Sequence, residues 1–290
     1  MIVRGGERVL VQGITGRQGT FWTERMQAYG TKVVAGVNPK KAGTEHCGVP
    51  VFATAREAMD GTGFDASVMF VPPMMARDAA LDAIEAGART LVVLTEFIPV
   101  QDVMFLLSAA RTSGCSVVGP NTAGIVTPGE CFVGIMPAFN PSIFQPGNVG
   151  VISRSGSLGT LLCLNIVRAG YGQSAFIGIG GDPVSGTTMR EALACLDRDP
   201  RTEAVVMVGE IGGNKEESAA AYAATMDKPV ISFIAGRSSP PGKKMGHAGA
   251  IVMGDSGTHE SKRRALEAAG VTVLDMPSEV PAALRVALGH

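Results

Sequence analysis

The chain of 290 residues has few aromatic side chains and few charges. Aromatic residues make up 5% of it and charged residues 18%, with a formal net charge of -1. Without excess positive charge, the chain has no general attraction for nucleic acid or for anionic membrane surfaces, so we expect neither as a partner. No apolar run approaches the roughly 18 residues that a membrane-spanning helix needs, which argues against a transmembrane protein.

Cysteine is also scarce, with five residues that lie far apart in the sequence. No pair has the spacing of a metal site or of a redox motif, so we expect no metal centre. Reduced thiols are the simplest account, and they are typical of a cytoplasmic protein. The N-terminal segment lacks the apolar core of a signal peptide, which favours the same location.

Apolar residues and glycines are abundant, at 46% hydrophobic residues and 38 glycines. This composition is ample for large buried cores, and the length suggests about two domains. Short β-branched runs alternate with alanine-rich stretches, which predicts an α/β fold with mainly parallel sheets. The apolar runs are continuous rather than alternating, as expected for strands that are buried on both faces.

The predicted elements form two successive series. In the first series, strands are expected at 8–12, 32–37, 66–71, 90–94 and 116–119, and helices at 18–29, 54–60, 76–86 and 101–112. In the second series, strands are expected at 148–153, 174–179, 204–209, 230–235 and 271–274, and helices at 158–169, 188–197, 215–226, 258–269 and 280–288.

A proline-rich stretch separates the two series. Five prolines fall between residues 120 and 146, and no long helix persists through such a stretch. We therefore predict an N-terminal domain at residues 1–122, a connection at 123–147 and a C-terminal domain at 148–290.

The first strand runs into a turn with glycines at 13, 16 and 19. Such a turn aims free backbone amides at an anion, although the spacing differs from the dinucleotide Gly-x-Gly-x-x-Gly. The second strand ends at Asn38-Pro39-Lys40-Lys41, where a nicotinamide site usually has an acidic residue. Lysines there favour a ribose that carries a phosphate, as in NADP or coenzyme A. The alternative is a tight turn followed by solvated lysines.

Two further features of the second series have a possible chemical use. Ser155-Gly156-Ser157 lies between a strand and a helix, where it either binds an anion or simply provides an N-cap. Glu210 ends a strand among glycines. A carboxylate at that edge is well placed to fix a histidine tautomer, and the alternative is an exposed strand-end glutamate.

His247 is one of four histidines, and glycine and alanine flank it. Lys243 and Lys244 lie just upstream. Core positions normally carry large side chains that pack closely. These small and cationic neighbours are therefore more typical of a histidine that contacts a large anion. The alternative is a loop histidine without chemistry.

Six segments in one order resemble the α subunit of succinyl-CoA synthetase (succinate–CoA ligase) and of its malate- and citrate-CoA ligase relatives. The similarity extends over almost the whole chain. The segments are Gly-Ile-Thr-Gly-Arg-Gln-Gly-Thr-Phe at 13–21, Gly-Pro-Asn-Thr-Ala-Gly at 119–124, Ser-Arg-Ser-Gly at 153–156, Gly-Ile-Gly-Gly-Asp-Pro at 178–183, Gly-Glu-Ile-Gly-Gly at 209–213 and Met-Gly-His-Ala-Gly-Ala-Ile at 245–251.

The resemblance implies a coenzyme A-binding Rossmann domain followed by a flavodoxin-like ligase domain. By position, it implies that coenzyme A is held by Thr15, Gly16, Arg17, Gln18, Lys41, Leu94, Thr95 and Glu96. It further implies that His247 becomes a phosphohistidine steadied by Glu210, that Ser155, Gly156 and Ser157 bind its phosphate, and that Asn121 and Thr160 belong to the acid site.

The implied reaction joins a short carboxylic acid to coenzyme A at the expense of ATP or GTP with Mg²⁺. In this family a separate β subunit with an ATP-grasp fold binds the nucleotide, so the chain is expected to act as a heterodimer or heterotetramer. With succinate as the acid, the reaction belongs to the tricarboxylic acid cycle. A non-catalytic coenzyme A- or NADP-binding module on the same fold is the alternative function.

Two departures from the family pattern affect the expected substrate. Thr160 and Leu161 stand where the family usually has tyrosine and glutamate, and Phe97 stands where glycine is usual. Losing a phenol and adding a phenyl group should reshape the acid pocket, so a short acid other than succinate is expected to be accepted.

Overall fold

The computed structural model describes residues 1–240, 246–252 and 257–289. Its contacts divide the chain into two compact units, unit 1 at 1–139 with 184–186, and unit 2 at 140–183 with 187–290. The change of unit at residue 139 falls inside the proline-rich stretch predicted as the connection. Among the described residues, no helix is both long and apolar enough to cross a bilayer.

Unit 1 contains β1 (Arg8–Gln12), α1 (Arg17–Tyr29), β2 (Lys32–Val37), β3 (Glu45–His46), β4 (Val49–Phe52), α2 (Ala55–Gly61), β5 (Ala66–Met69), α3 (Pro73–Glu85), β6 (Thr90–Val93), α4 (Val100–Ser113), β7 (Ser116–Val118), β8 (Gly124–Thr127) and β9 (Cys131–Gly134). A 3-10 turn at Pro39–Lys41 follows β2.

The main sheet of unit 1 has the strand order β3-β4-β2-β1-β5-β6-β7. All neighbours pair in parallel except β3 and β4. Numbered along the chain, the parallel strands follow the order 3-2-1-4-5-6 of the Rossmann fold, which confirms the predicted class. In such a sheet the order reverses between the first and fourth strands, here β1 and β5, so a crevice forms outside their carboxyl ends.

Unit 2 contains β10 (Pro146–Ser153), α5 (Gly156–Arg168), β11 (Gln173–Gly178), α6 (Met189–Asp197), β12 (Ala204–Glu210), α7 (Lys215–Ala223), β13 (Val230–Ala235), α8 (His259–Ala268), β14 (Thr272–Leu274) and α9 (Val280–Leu288). A 3-10 turn at Pro277–Glu279 precedes α9.

The strands of unit 2 run in the order β14-β13-β12-β10-β11 and pair in parallel. This is the flavodoxin-like order 2-1-3-4-5, so the predicted class of the second domain is also confirmed. Strands β11 and β12 are buried throughout, and β10 is buried from Val149 to Ser153, as their continuous apolar runs predicted. The order reverses between β10 and β12, which places the carboxyl ends of these two strands at the crevice of unit 2.

Two hairpins were missed by the sequence analysis. Strands β8 and β9 pair in antiparallel fashion inside the stretch that was predicted to be a mere connection. The prolines there do exclude a long helix, but Pro128 and Gly129 form the turn of this hairpin instead of breaking all structure. Strands β3 and β4 were missed because they contain only two and four residues.

Candidate active site

A cavity of about 680 Å³ lies at the crevice of unit 1. Gly13, which follows β1, has a φ of +77°, and a Cβ atom there would lie 2.3 Å from the carbonyl oxygen of Phe70. Only glycine therefore allows the turn to pass so close to the end of β5. The N-cap of α1 is Gly16, and no side chain bonds to the first-turn amides. These amides have no partner within the helix, so they are available to an anion.

The end of β2 closes the same cavity with neutral and cationic groups. Asn38 Nδ2 donates to Thr15 Oγ1 at 2.5 Å, and Asn38 Oδ1 accepts from the Lys40 amide at 3.0 Å. Asn38 thus ties the glycine turn to the 3-10 turn that carries the lysines. An amide stands where a nicotinamide site usually has a carboxylate, so this edge fits a phosphorylated ribose.

The predicted coenzyme A residues fall into two groups in unit 1. Thr15 and Gly16 line the cavity, together with Asn38 and Lys40, which the prediction did not include. Arg17, Gln18 and Lys41 are exposed beside it without being part of its lining.

The predicted segment Leu94–Glu96 follows β6 and also lies outside the lining of the cavity. Thr95 Oγ1 donates to the carbonyl of Val71, and the carbonyl of Thr95 accepts from the amide of Asn121. Asn121 has a left-handed φ of +54°. The binding roles of these residues stay predictions.

In unit 2, the structure brings His247 and Glu210 together as predicted. His247 Nδ1 lies 2.8 Å from Glu210 Oε2. The ionised carboxylate only accepts, so Nδ1 carries the proton and Nε2 of the neutral ring keeps its lone pair. The hydrogen bond that His247 donates to Glu210 raises the pKa of His247 above its ordinary value, although burial opposes the change. The imidazole is 27% exposed, which leaves it accessible to a phosphoryl donor.

Glycines around His247 provide the room that the ring occupies. A Cβ atom at Gly181 would lie 2.2 Å from His247 Cγ. The amide of Gly249 donates to the carbonyl of Gly181 at 3.1 Å, which joins the histidine loop to the loop after β11. Lys243, Lys244 and Met245, which the sequence analysis also noted, lie outside the described residues.

The turn before α5 is built as an N-cap. Ser155 Oγ accepts from the amide of Leu158 at 3.3 Å, so the N-cap role left open in the sequence is present. Gly156 opens the helix, and Ser157 is exposed with its hydroxyl 3.3 Å from that of Ser155. Thr160 Oγ1 donates to the carbonyl of Gly156, so this hydroxyl is bound to its own helix. Phosphate binding here stays a prediction.

Three charged residues behind the histidine were missed. Arg154, Glu216 and Lys262 have side chains that are at most 1% exposed. Arg154 follows β10 and pairs with Glu210 at the carboxyl end of β12, where the strand order reverses. No local pattern marks a charged residue for burial, because its partners come from distant parts of the chain.

Comparison with known proteins gives the same two-part division. A CoA binding domain model matches residues 6–97, and a CoA-ligase model matches residues 152–272. The α subunit 2 of an ADP-forming succinate–CoA ligase from Archaeoglobus fulgidus is 50% identical over 97% of this chain and 96% of its own. The α subunit of the malate–CoA ligase of Methylorubrum extorquens is 46% identical over 93% of this chain and 92% of its own.

Among solved structures, the ATP citrate lyase of Methanosaeta concilii in complex with (3S)-citryl-CoA matches with a TM-score of 0.92 at 23% identity. The match covers all of this chain and half of the lyase chain, and it concerns the fold alone. The sequence relatives extend over nearly their full lengths. The chain therefore belongs to the family of acid–CoA ligase α subunits that includes the succinate– and malate–CoA ligases.

Proposed function

We propose that this α subunit carries a phosphoryl group on His247 Nε2 between a nucleotide and a carboxylic acid. The observation that supports this role most strongly is the 2.8 Å contact between His247 Nδ1 and Glu210 Oε2. It leaves Nε2 unprotonated, and it places a negative charge where the ring becomes positive as a phosphorus–nitrogen bond forms. A purely coenzyme A- or NADP-binding module would need neither residue.

The proposed reaction moves one phosphoryl group twice. His247 Nε2 attacks the terminal phosphorus of ATP or GTP, and the nucleoside diphosphate leaves. A carboxylate oxygen of the acid then attacks the phosphohistidine, which gives an acyl phosphate and restores the neutral ring. Coenzyme A, when bound, supplies the thiol that takes the acyl group and releases inorganic phosphate.

The chain's own groups would assist these steps by binding anions. The N-terminus of α5, with Ser155, Gly156 and Ser157, would stabilise the phosphoryl group, because a helix N-terminus favours an anion by about 0.3–1 kcal/mol at exposed sites. In unit 1, the open amides after Gly16 and the neutral Asn38 fit the phosphates of coenzyme A.

We propose that the acid substrate is a short carboxylic acid and that the site accepts acids other than succinate. Thr160, which stands where the resemblance implies a tyrosine, has its hydroxyl bound to Gly156, and it offers no phenol to an acid. Asn121 is retained as a predicted contact of the acid. Rates on succinate, malate and itaconate test this point, and a clear preference for succinate would contradict it.

The nucleotide and Mg²⁺ are proposed to bind to a β subunit with an ATP-grasp fold, in an αβ or α₂β₂ assembly. The relatives from Archaeoglobus fulgidus and Methylorubrum extorquens are α subunits of CoA ligases, which supports a partner subunit. A cytoplasmic location is proposed because all five cysteines are free thiols.

The deciding experiment is phosphorylation of the complex with the neighbouring β subunit by γ-labelled ATP or GTP. We expect acid-labile, base-stable label on His247 that coenzyme A plus an acid removes. His247→Ala should take no label. His259→Ala, a second histidine of unit 2, serves as the matched control and should keep it. Label that persists in His247→Ala, or that fails to appear although the β subunit binds nucleotide, would contradict the proposal.

A further inference from the structure

Four buried charged side chains form a continuous chain of contacts behind His247. Glu210 Oε2 accepts from the imidazole, and Glu210 Oε1 lies 3.0 Å from Arg154 Nη2. Arg154 Nη1 lies 3.2 Å from Glu216 Oε1, and the other oxygen of Glu216 pairs with the Lys262 ammonium. Burying so many charges is costly unless each is paired and hydrogen-bonded, so this arrangement requires an explanation.

Arg154 holds Glu210 at more than one point. Besides its ion pair with the carboxylate, its Nη1 donates to the carbonyls of Glu210 at 3.3 Å and of Gly212 at 3.2 Å. The planar guanidinium thus spans the side chain and the main chain of the residue that contacts His247. A rigid fork of donors fixes orientation in a way that the point charge of a lysine does not.

Glu216 and Lys262 keep Arg154 in this position. Glu216 Oε1 accepts from Arg154 and also from the backbone amide of Glu210 at 3.1 Å. Burial acts to raise the pKa of Glu216, but Lys262 and Arg154 together hold it below its usual range. Lys262 also lies 3.4 Å from Glu217 Oε2, so it pairs with two carboxylates. Because Arg154 occupies Glu210 Oε1, the other oxygen, Oε2, remains for the histidine.

We propose that Arg154 is a positioning residue for the phosphoryl-transfer step, and that its guanidinium, clamped by Glu216 and Lys262, holds Glu210 ionised and aimed at His247 Nδ1. The proposal rests on the phosphohistidine function above. It adds that the tautomer of His247 depends on Arg154, which acts on the imidazole through Glu210.

The test measures the charge state of His247, so every charged group that faces it must be considered. Glu210 acts from the end of β12, Arg154 from the turn after β10, and Asp182 from the loop after β11. Lys215 at the start of α7 donates to the carbonyl of Asp182 at 2.8 Å, and burial lowers its pKa to about 8. Of these groups, the variants below change only Arg154. The double variant also changes Glu216, the buried partner of Arg154.

The primary variant is Arg154→Met in the full chain labelled with ¹⁵N-histidine. The four histidines give a simple spectrum, and the His247→Ala spectrum assigns the relevant signal. Without the guanidinium, Glu210 loses the cation beside its Oε1, whereas Glu216 keeps Lys262. A buried carboxylate without its ion-pair partner takes up a proton, so we expect Glu210 to be the group that does. We expect the pKa of His247 to fall and the preference for the Nδ1-protonated tautomer to weaken.

A rise in the pKa of His247 in Arg154→Met would overturn the proposal. If Arg154 were only a nearby positive charge, its removal would raise the pKa of His247, because Arg154 by itself acts to lower it. In the complex with the β subunit, we expect the phosphorylation rate to fall roughly 10- to 100-fold, as for other partners that orient functional histidines.

A charge-balanced double variant covers the case in which Arg154→Met does not fold. Arg154→Met with Glu216→Gln removes one cation and one carboxylate, so the net charge of the buried group is unchanged, and Lys262 keeps Glu217 as a partner. If Arg154 positions Glu210, phosphorylation stays slow in this variant. If Arg154 serves only to neutralise Glu216, the double variant regains the wild-type rate, and the proposal is wrong.

The matched control is Arg263→Met. Arg263 lies next to Lys262 on α8, where it forms surface ion pairs with Glu267 and Asp275. Its loss should change neither the His247 signal nor the rate. Failure of the proposed function is recognised separately, because wild-type His247 would then take no phosphoryl label, whereas the spectrum of the unphosphorylated chain still decides the role of Arg154.

Discussion

Both units have a strand-to-helix turn at the same kind of sheet edge, but the two turns differ in how their polar groups are paired. Each places a turn at the point where its strand order reverses, and a helix opens directly after that turn. In unit 1, the turn from Gly13 to Gly16 leaves the first-turn amides of α1 without a side-chain cap, and its neighbours are neutral or exposed. In unit 2, the side chains of the turn at 153–155 bond to other groups of the protein. Ser155 is the N-cap of α5, and Arg154 forms ion pairs.

This difference suits the two tasks proposed for the units. A site for a phosphorylated ligand needs hydrogen-bond donors that are unpaired before the ligand binds. Backbone amides at a helix N-terminus meet this need without a buried charged side chain. A histidine that gains and loses a phosphoryl group needs a fixed tautomer, and buried charges supply that fixation at a cost in desolvation. The three substitutions below test the two units separately, beginning with the largest expected effect.

Gly181→Ala should slow phosphorylation of His247 in unit 2 and leave coenzyme A binding by unit 1 unchanged. The new Cβ atom would lie 2.2 Å from His247 Cγ, so the imidazole must move away from Glu210. Displacement by about 1 Å can cost roughly a hundredfold in rate, and we expect at least that loss in phosphorylation of His247. Gly6→Ala, where a Cβ atom meets nothing within 4 Å, is the control. Normal phosphorylation of Gly181→Ala would show that the ring does not need this position.

Glu210→Gln should change the pH dependence of phosphorylation. Protonated His247 has no lone pair for phosphorus, so the wild-type rate should rise with pH through the raised pKa of the histidine. Removing the carboxylate lowers that pKa, so the midpoint of the pH–rate profile should move to lower pH. Glu203→Gln, just before β12, is the control. An unchanged midpoint would mean that Glu210 does not set the charge of the ring.

The same substitution has a predicted signature in stability. Because the folded pKa of His247 lies above the unfolded value, its ion pair stabilises the folded state below the unfolded pKa. This contribution is lost as pH rises through the folded pKa. Denaturant unfolding of the wild type and of Glu210→Gln should therefore show a difference in free energy that narrows as the pH increases across that range.

Asn38→Asp should weaken unit 1 more mildly. A carboxylate at the end of β2 would repel the phosphates of coenzyme A, and we expect a loss of about tenfold in affinity, or about 1.4 kcal/mol. Calorimetric titration of coenzyme A measures the change. Asn140→Asp is a matched control, since Asn140 Oδ1 accepts from the amide of Ser142 in the same local geometry. Equal affinity in Asn38→Asp would indicate that the phosphates bind elsewhere.

Periodicity in the sequence was sufficient for the main elements of both sheets. Strand β2 and helix α9 match their predicted bounds because apolar runs and turn residues mark both ends. Helix α3 begins three residues earlier than predicted, at Pro73, because proline suits the first turn of a helix. The β8–β9 hairpin was missed because its Pro-Gly turn was taken only as a break in regular structure.

The candidate site was predictable where chemistry concentrates in short motifs. Glu210 was expected to contact a histidine because it ends a strand among glycines, at the sheet edge where ligands gather. The resemblance implied that this histidine is His247. Arg154 and Lys262 could not be assigned in the same way. Each occupies a position where an exposed cation is the ordinary expectation, and only the tertiary fold brings Glu216 between them.

The close approach of Gly181 to the His247 ring has a consequence for chemical reactivity. Peptide backbone lies against the ring on the side of Cγ and Cδ2, and Nδ1 is occupied by Glu210. Of the two ring nitrogens, Nε2 is then the one that Glu210 leaves to an electrophile. An acylating reagent such as diethyl pyrocarbonate should therefore add once to this imidazole and stop, whereas an unrestrained histidine continues to the doubly modified, ring-opened product.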